Sequence, residues 1–287
     1  MAPLPPIETV SRLRPAWVFA DRFQFEAACE RAVRILPIDN ETAMVCVLGC
    51  QKMLISTRDL NVTAHMAFNG YWETWVTLAM IRHVKPGWKC ADVGANCGYF
   101  TLLLGNLVGP AGHVWACEPH PKVGSLLKQS VALNGLAWAE VYAGAASDYT
   151  GTCTLKVPPG AASGGTIVPV PGMTPDFETC TVPVQPLDQI CRGEKLDFVK
   201  IDAEAAEQSI WRGMKEIRAA NPAITVLMEF NAIRFPDPRG FLDEIEADGF
   251  ALQFVNDEGD IEPATTDRLL TENFGSEWML WLTRNPI

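Results

Sequence analysis

Short apolar runs alternate with helical patterns from Trp88 to the last residues of the chain. Five runs are nearly continuous in apolar residues and bounded by turn residues, which is typical of buried strands. Four segments between them have apolar residues at helical spacing. This alternation predicts a parallel sheet covered by helices on both faces. The predicted strands are residues 89–93, 113–118, 139–143, 197–202 and 224–230, and the predicted helices are residues 99–108, 121–134, 207–219 and 238–248.

The C-terminal part changes to a different pattern. Residues 250–256 and 278–284 are apolar runs separated by an acidic, turn-rich stretch. Such a pair predicts two antiparallel strands that close one edge of the sheet. The expected fold is therefore α/β, with a doubly wound, seven-stranded and mostly parallel sheet.

Two regions lie outside the repeated pattern. Residues 1–85 begin with a Pro-rich stretch and continue with a predicted helix at 23–35, a hairpin at 44–55 and a helix at 72–83. We interpret this region as an N-terminal cap or lid. Residues 86–287 form the predicted main domain, interrupted at 150–186 by a segment rich in Gly, Pro and Thr. A connection of this length is typical of a functional lid, and its alternating Thr and Val residues favour short added strands.

Charge and composition narrow the classes of partner. The formal net charge is -11, from 34 acidic and 23 basic residues, so the average surface repels nucleic acid and anionic lipid. No apolar run reaches the roughly 18 residues of a membrane span, and no signal peptide is recognisable. The nine cysteines include no CxxC pair, which favours reduced thiols and no metal site. These features predict a soluble, cytoplasmic protein.

The segment from Asp92 to Thr101 reads as a strand, a sharp glycine turn and a helix start. Gly94 and Gly98 allow a tight turn and the close approach of a ligand at the carboxyl end of the strand, where open α/β sheets bind ligands. About twenty residues later, Glu118 ends the next strand, where a carboxylate can accept both hydroxyl protons of a ribose. Asn96 replaces the middle glycine of a dinucleotide fingerprint. A nucleoside cofactor is indicated, and a nicotinamide cofactor remains the alternative.

Five blocks of the sequence have a recognisable order and spacing: residues 69–73, 92–101, 118–119, 145–148 and 197–207. Through these blocks the sequence resembles the FkbM family of S-adenosylmethionine-dependent methyltransferases, over about residues 45–285. One departure is visible, because the family commonly has Glu-Gly where this chain has Glu204-Ala205. If that glycine lets substrate approach closely, the acceptor pocket is altered here.

The resemblance implies a class I, Rossmann-like methyltransferase fold, with S-adenosyl-L-methionine as cofactor and S-adenosyl-L-homocysteine as product. It places the glycine turn against the methionine part of the cofactor, Glu118 on the ribose, residues 146–148 beside the adenine, and residues 71–73 over the cofactor. Asp202 would accept from the cofactor's ammonium group. The implied cofactor-binding residues are Tyr71, Glu73, Asp92, Gly94, Ala95, Asn96, Gly98, Tyr99, Thr101, Glu118, Pro119, Ala146, Ser147, Asp148 and Asp202.

Candidate catalytic groups must lie at the carboxyl ends of the central strands, which selects Lys200, Asp202, Glu204 and Glu229. Lys200 interrupts an apolar strand and needs a partner, for which Glu229 is the candidate. A structural ion pair is the alternative to a catalytic role. Asp202, Glu204 and Glu207 have oxygen ligands for a metal, but carboxylates at the start of a helix are better explained by the helix dipole.

Together these features predict methyl transfer to a small-molecule acceptor, first of all a hydroxyl of a natural product or sugar. Carboxyl and amine acceptors, a nicotinamide-dependent oxidoreductase and a non-catalytic nucleoside-binding protein are the alternatives. The expected partners are the acceptor, neither nucleic acid nor membrane, and a second copy of the chain if the apolar N-terminal segment forms a homodimer. His65 is a minor candidate base. An apolar acceptor would be received by aromatic residues drawn from Trp72, Trp75, Phe230, Phe235 and Trp278.

Overall fold

The computed structural model describes residues 16, 21–59, 62–161, 164–168, 176–272 and 275–286. The Pro-rich N-terminal stretch and parts of the segment at 150–186 lie outside these residues. The N-terminal elements are α1 (Arg22–Ala32), β1 (Ile35–Pro37), β2 (Thr42–Val47), β3 (Gln51–Ser56), α2 (Val62–Asn69) and α3 (Thr74–His83). The next elements are β4 (Lys89–Val93), α4 (Tyr99–Val108), β5 (His113–Cys117), α5 (Pro121–Leu133), β6 (Ala139–Tyr142), β7 (Ala145–Ser147), β8 (Gly151–Val157), β9 (Glu178–Pro186) and α6 (Leu187–Ile190). The last are β10 (Phe198–Ile201), α7 (Glu207–Arg212), α8 (Lys215–Ala220), β11 (Thr225–Phe230), a 3-10 turn (Ala232–Arg234), α9 (Pro238–Ala247), β12 (Gln253–Val255), β13 (Ile261–Pro263), α10 (Thr266–Thr271) and β14 (Trp278–Leu282).

A central eight-stranded sheet organises the molecule, in the order β13-β12-β14-β11-β10-β4-β5-β6. The five strands from β11 to β6 are parallel, and β14 runs antiparallel to β11. The chain moves outward from β4 through β5 to β6, then returns to the other side of β4 with β10 and β11. This reversal places a topological switch point between β4 and β10, where open α/β sheets bind their ligands.

Two hydrophobic clusters cover the two faces of this sheet, as the nearly continuous apolar strands require. One cluster includes Leu102 and Leu103 of α4 and Leu127 of α5, together with residues of the N-terminal elements. The other includes Ile210 of α7 and Phe241 of α9. The α/β fold with a large, mostly parallel sheet is therefore confirmed.

The N-terminal elements dock on the first cluster through a small antiparallel sheet, in the order β1-β2-β3. Strand β3 lies along α5, where the backbone N–H of Lys52 donates to Asn134 Oδ1 (2.9 Å) and that of Leu54 donates to Ser130 Oγ (2.9 Å). Side chains of α5 thus satisfy backbone groups at the edge of this sheet. The division into a cap and a main domain stays a prediction.

The segment at 150–186 contributes β8 and β9, which form a second small sheet with β7 in the order β7-β9-β8. Apolar residues such as Leu155, Val182 and Val184 form a third, smaller cluster on its buried face. Thr166 makes an isolated antiparallel bridge to Lys156 of β8.

Several details of the predicted elements are wrong. The predicted helix at 207–219 is two helices, because the chain breaks at Gly213, where a Cβ would overlap the carbonyl oxygen of Ser147. An eighth strand, β13, forms within the acidic stretch by pairing with β12. In the N-terminal region, the helix predicted at 23–35 ends at Ala32, and the sequence pattern did not predict β1 or α2.

Candidate active site

A cavity of about 270 Å³ opens at the carboxyl ends of β5, β4, β10 and β11, at the switch point of the sheet. Ligand sites of small molecules start at about 300 Å³, so the volume of this cavity lies just below that range. The predicted site residues that line it are Glu73, Gly94, Ala95, Asn96, Tyr99, Glu118, Pro119, Ala146, Lys200, Asp202, Glu204 and Glu229. The predicted residues that are not part of the lining are Tyr71, Asp92, Gly98, Thr101, Ser147 and Asp148.

The glycine turn after β4 is shaped by packing of the protein against itself. Gly94 and Gly98 have φ values of 78° and 103°, in the left-handed region that glycine tolerates. A Cβ at Gly94 would overlap the carbonyl oxygen of Asp202, and one at Gly98 would overlap the side chain of Leu127. The tight turn is confirmed, and the atoms that a Cβ would meet at these two glycines belong to the protein. Close approach of a ligand at this turn stays a prediction.

The side chain of Glu118 is fixed at the β5 end of the cavity, which we define by Asn96, Glu118 and His120. Its Oε2 accepts from the backbone N–H of Asn96 (2.8 Å) and its Oε1 from the backbone N–H of His120 (2.7 Å). Burial raises the pKa of Glu118 to about 7, although these two N–H groups lower it. An ionised carboxylate has about four acceptor positions, so two remain for ligand hydroxyls.

Lys200 is fully buried, and its partner is Asp202, whose Oδ2 accepts from Nζ at 2.9 Å. The predicted pairing with Glu229 is wrong, because residues two apart in a strand point to the same side and bring Lys200 and Asp202 together. Burial lowers the pKa of Lys200, but Asp202, Asp92 and Glu73 more than offset this, so the net direction is upward. Lys200 is a cation held among carboxylates.

Arg234 supplies the cation that Glu229 requires, and sequence reasoning missed it. Its guanidinium contacts Glu229 (2.5 Å), Glu204 (3.2 Å) and Glu277 (2.6 Å). Burial raises the pKa of Glu204 to about 7 and that of Glu229 well above its usual range, while Arg234 lowers both. A charged residue in a buried strand was the available signal, since Glu229 had to have a cation nearby.

Glu73 completes this cluster from the N-terminal side. It precedes α3 with a φ of 39°, in the left-handed region. Its Oε2 is screened from solvent and has no hydrogen-bond partner among the described residues. Burial, followed by the nearby Asp202, raises the pKa of Glu73 to about 8. We refer below to the charged end of the cavity, defined by Glu73, Lys200, Asp202, Glu204, Glu229, Arg234 and Glu277.

The Glu204-Ala205 step has an unusual backbone. The φ values are 51° for Glu204 and 79° for Ala205, a conformation in which an alanine is strained. Ala205 does not line the cavity. A glycine at this position is therefore explained by the positive φ of the backbone. The expectation that Ala205 alters the acceptor pocket is not supported. Thr166 Oγ1 donates to the Glu204 carbonyl (2.5 Å) and ties the segment at 150–186 to this loop.

Glu207 has a structural position at the start of α7. Its Oε1 accepts from the backbone N–H of Ala203 (2.9 Å), and the side chain is buried. This is the helix-start role that the sequence favoured over metal binding. Among the described residues, no group of three or more His, Cys, Asp or Glu side chains is placed to hold a metal ion.

The predicted residues outside the lining have other contacts. Asp92 is buried and accepts from Thr101 Oγ1 (2.5 Å). Tyr71 packs on Phe25 and on His65.

The aromatic residues do not converge above the cavity. Trp72 lines it, whereas Trp75 does not. Phe230 stacks on Phe235 (5.4 Å between centroids) and Trp278 packs on Phe254. The aromatic wall considered for an apolar acceptor is therefore wrong in four of its five members.

The parallel strands, the antiparallel β14 between β11 and β12, and the cavity at the switch point define a class I methyltransferase fold. Residues 92–262, more than half of the chain, match the family model described as the methyltransferase FkbM domain. The chain belongs to this FkbM family of S-adenosylmethionine-dependent methyltransferases, as its motifs indicated.

Curated relatives match over shorter stretches. The protein-L-isoaspartate O-methyltransferase of Aeropyrum pernix is 30% identical over 148 residues, which cover 45% of this chain and 56% of that protein. The enzyme of the same name from Methanothrix thermoacetophila is 33% identical over 48 residues, or 17% of this chain and 23% of that protein. The chain thus covers less than two thirds of either relative.

Solved structures give distant likenesses. Aeropyrum pernix fibrillarin, with natively bound S-adenosyl-L-methionine, has a TM-score of 0.44 and 11% identity and covers 88% of this chain and 99% of its own. A TehB-like S-adenosylmethionine-dependent methyltransferase from Corynebacterium glutamicum has a TM-score of 0.43 and 14% identity, covering 78% of this chain and 94% of its own.

Within the described residues, no helix has the length and apolar character needed to cross a bilayer.

Proposed function

We propose that the chain binds S-adenosyl-L-methionine in this cavity and transfers its methyl group to a hydroxyl of a small molecule, such as a natural product or sugar. The observation that carries the proposal is the placement of Glu118 and the charged end around one cavity at the switch point. Family membership supports the cofactor, and the acceptor is our inference from the site.

The residues present fit the cofactor at both ends of the cavity. At the β5 end, Glu118 is held by two backbone N–H groups and keeps acceptor positions for the two ribose hydroxyls. At the charged end, Glu73 Oε2 lacks a donor and Asp202 lines the cavity, so a ligand ammonium would find carboxylates there. A charge-assisted hydrogen bond to such a carboxylate is stronger than a neutral one.

Methyl transfer requires the chain mainly to position the acceptor oxygen against the methyl group. When bound, the cofactor supplies an electrophilic methyl group on its sulfonium. The cavity walls bring the acceptor oxygen into line and exclude water, which can provide much of the rate acceleration. The carboxylate of Glu204 takes the hydroxyl proton, and its pKa of about 7 suits a general base near neutrality.

The names of the curated relatives suggest a second acceptor, because protein-L-isoaspartate O-methyltransferases are named for a carboxyl group on a protein. The charged end argues against this acceptor, since its carboxylates outnumber its cations and would repel an anion. A hydroxyl acceptor avoids that repulsion. The formal net charge of -11 likewise favours a small molecule over nucleic acid.

A melting-temperature comparison tests the cofactor. A ligand that binds only the folded state at 100 times its Kd adds about 2.7 kcal/mol to the free energy of unfolding. We expect S-adenosyl-L-homocysteine to raise the Tm and NAD to leave it unchanged. A shift with NAD alone would favour the oxidoreductase alternative, and a shift with neither ligand would remove the cofactor assignment.

Transfer of labelled methyl from S-adenosyl-L-methionine tests the acceptor. A panel of small hydroxyl, carboxyl and amine compounds is incubated with the full chain, and the labelled products are identified. We expect hydroxyl compounds to be methylated, and Glu204→Gln to slow the reaction while the exposed Glu258→Gln does not. Cofactor binding without transfer to any member of the panel would favour a non-catalytic nucleoside-binding protein.

A further inference from the structure

The charged end of the cavity holds more negative than positive side chains. Its cations are Lys200 and Arg234, so full ionisation leaves a surplus of negative charge in a partly buried space. Such a surplus is costly unless a cation compensates it. The carboxylates of the charged end are Glu73, Asp202, Glu204, Glu229 and Glu277.

The two cations of the charged end are already paired with carboxylates. Arg234 contacts three carboxylates, and Lys200 Nζ donates to Asp202. Glu73 Oε2 has no partner among the described residues although it is screened from solvent. A buried acceptor atom without a donor is rare in native proteins and points to a group that binds there. The charged end therefore lacks hydrogen-bond donors and positive charge at the same time.

Protons take the place of that missing charge in the ligand-free protein. Burial raises the pKa of Glu73 to about 8 and that of Glu204 to about 7, and it raises the pKa of Glu229 as well. Near neutrality some of these carboxyl groups are therefore protonated. A cationic ligand would displace those protons and be bound by the carboxylates left behind.

The cofactor accounts for only part of this charge. Its ammonium and sulfonium are positive and its carboxylate is negative, so it brings one net positive charge against a surplus of three. In the proposed function its ribose would be bound by Glu118, which follows β5. Glu229 is on β11, three strands away, and Glu277 precedes β14, four strands away. At the usual strand spacing these separations across the sheet are about 14 Å and about 19 Å. Glu229 and Glu277 thus face the acceptor side.

We propose that the acceptor carries a protonated amine or guanidinium group in addition to its hydroxyl, and that Glu229 and Glu277 bind this cation. Among the described residues, Arg234 donates to one oxygen of each carboxylate, and the other oxygen of each has acceptor positions for the ligand. Arg234 holds the two carboxylates in place. This inference rests on the proposed function and adds the charge class of the acceptor.

Matched pairs of hydroxyl compounds test the inference, because the members of a pair differ in one ammonium group. The probes are glucosamine and glucose, tyramine and tyrosol, and 4-aminobutanol and butane-1,4-diol. Their affinity is measured for the full chain saturated with S-adenosyl-L-homocysteine, and methyl transfer is measured with labelled S-adenosyl-L-methionine. We expect the amine to bind at least about tenfold more tightly than its neutral partner in at least one pair.

The variant Glu277→Gln then identifies the group responsible. Glu277 is half exposed, so its neutralisation should leave the fold intact. We expect it to reduce the preference for the amine about fivefold or more, whereas Glu258→Gln leaves that preference unchanged. The same preference in Glu277→Gln, or no preference for an amine in any pair, overturns the inference. Failure to bind S-adenosyl-L-homocysteine would instead overturn the proposed function.

Discussion

The two ends of the cavity are built in different ways. At the β5 end, Glu118 is fixed by the backbone N–H groups of Asn96 and His120. At the charged end, side chains from β10, β11 and the segment before β14 hold one another through ion pairs. Backbone hydrogen bonds fix a geometry that tolerates change nearby, whereas an ion cluster depends on every member. The geometry of the charged end should therefore be more sensitive to substitution than that of the β5 end.

Removal of Lys200 should break the charged end most severely. Lys200→Met leaves Asp202 and Asp92 without their cation in a buried place, and breaking a buried pair costs about 3–5 kcal/mol. We expect this loss in the free energy of unfolding, measured by urea denaturation at pH 7. The control is Lys89→Met, which breaks the exposed pair with Glu194 and should cost less than about 1 kcal/mol. Equal stabilities of the two variants would contradict the role of Lys200.

Loss of Glu118 should disable the β5 end without unfolding the protein. Glu118→Ala removes the acceptor for two ribose hydroxyls, and hydrogen bonds to a charged group contribute about 1.5–3 kcal/mol each. We expect the affinity for S-adenosyl-L-homocysteine, measured by titration calorimetry, to fall at least about tenfold. The control is Glu140→Ala, which removes a carboxylate on β6 outside the cavity. Wild-type affinity of Glu118→Ala for S-adenosyl-L-homocysteine would contradict the proposal that Glu118 binds the ribose.

The pH dependence of stability should report the carboxyl groups of both ends. Their pKa values, about 7 for Glu118 and Glu204 and about 8 for Glu73, are raised above those of the unfolded chain. The folded state then binds protons more tightly, so stability is greatest below the unfolded pKa and is lost as pH rises through about 7–8. We expect the ligand-free protein to melt at a lower temperature at pH 8 than at pH 6.

The variant Glu73→Gln separates the charged end from the rest of this effect. It removes one carboxyl group with a raised pKa, so it should stabilise the ligand-free protein at pH 8 by on the order of 1–2 kcal/mol. The exposed Glu258→Gln serves as the control and should leave the pH profile unchanged. A steeper pH dependence in Glu73→Gln would contradict the assigned direction of the shift.

The smallest expected effect concerns the backbone of the loop that carries Glu204. Ala205→Gly removes the strain of a residue with a φ of 79°, which should raise the free energy of unfolding by about 1 kcal/mol. The matched control is Ala219→Gly, an exposed position in α8, which should lower it by about 1 kcal/mol. Thermal denaturation distinguishes the two signs. Destabilisation by Ala205→Gly would show that the loop is not strained.

The difference between the two ends also explains what the sequence could predict. Glu118 and the turn at Gly94 belong to one β-α-β unit, so their spacing alone placed them together. Arg234 and Glu277 come from a turn after β11 and from the approach to β14, and only the order of strands brings them together. Strand alternation could have paired Lys200 with Asp202, because both lie on one side of the chain.

The limits on the predicted elements have a similar cause. The strands and helices from β4 to β6 follow from local apolar patterns and were confirmed almost residue for residue. The break at Gly213 could not be predicted in this way, because its reason is the carbonyl of Ser147, far away in sequence. The reason for the two glycines of the turn was likewise hidden, since it depends on Asp202 and Leu127 of other elements.

The hydrogen bond from Thr166 to the carbonyl of Glu204 joins the segment at 150–186 to the charged end, where we propose that the acceptor binds. Sequence change in that segment can therefore remodel acceptor choice while the nucleoside-holding half stays as it is. Exchanging this segment between relatives should change the preference for acceptors while the residues proposed to bind the methyl donor stay the same.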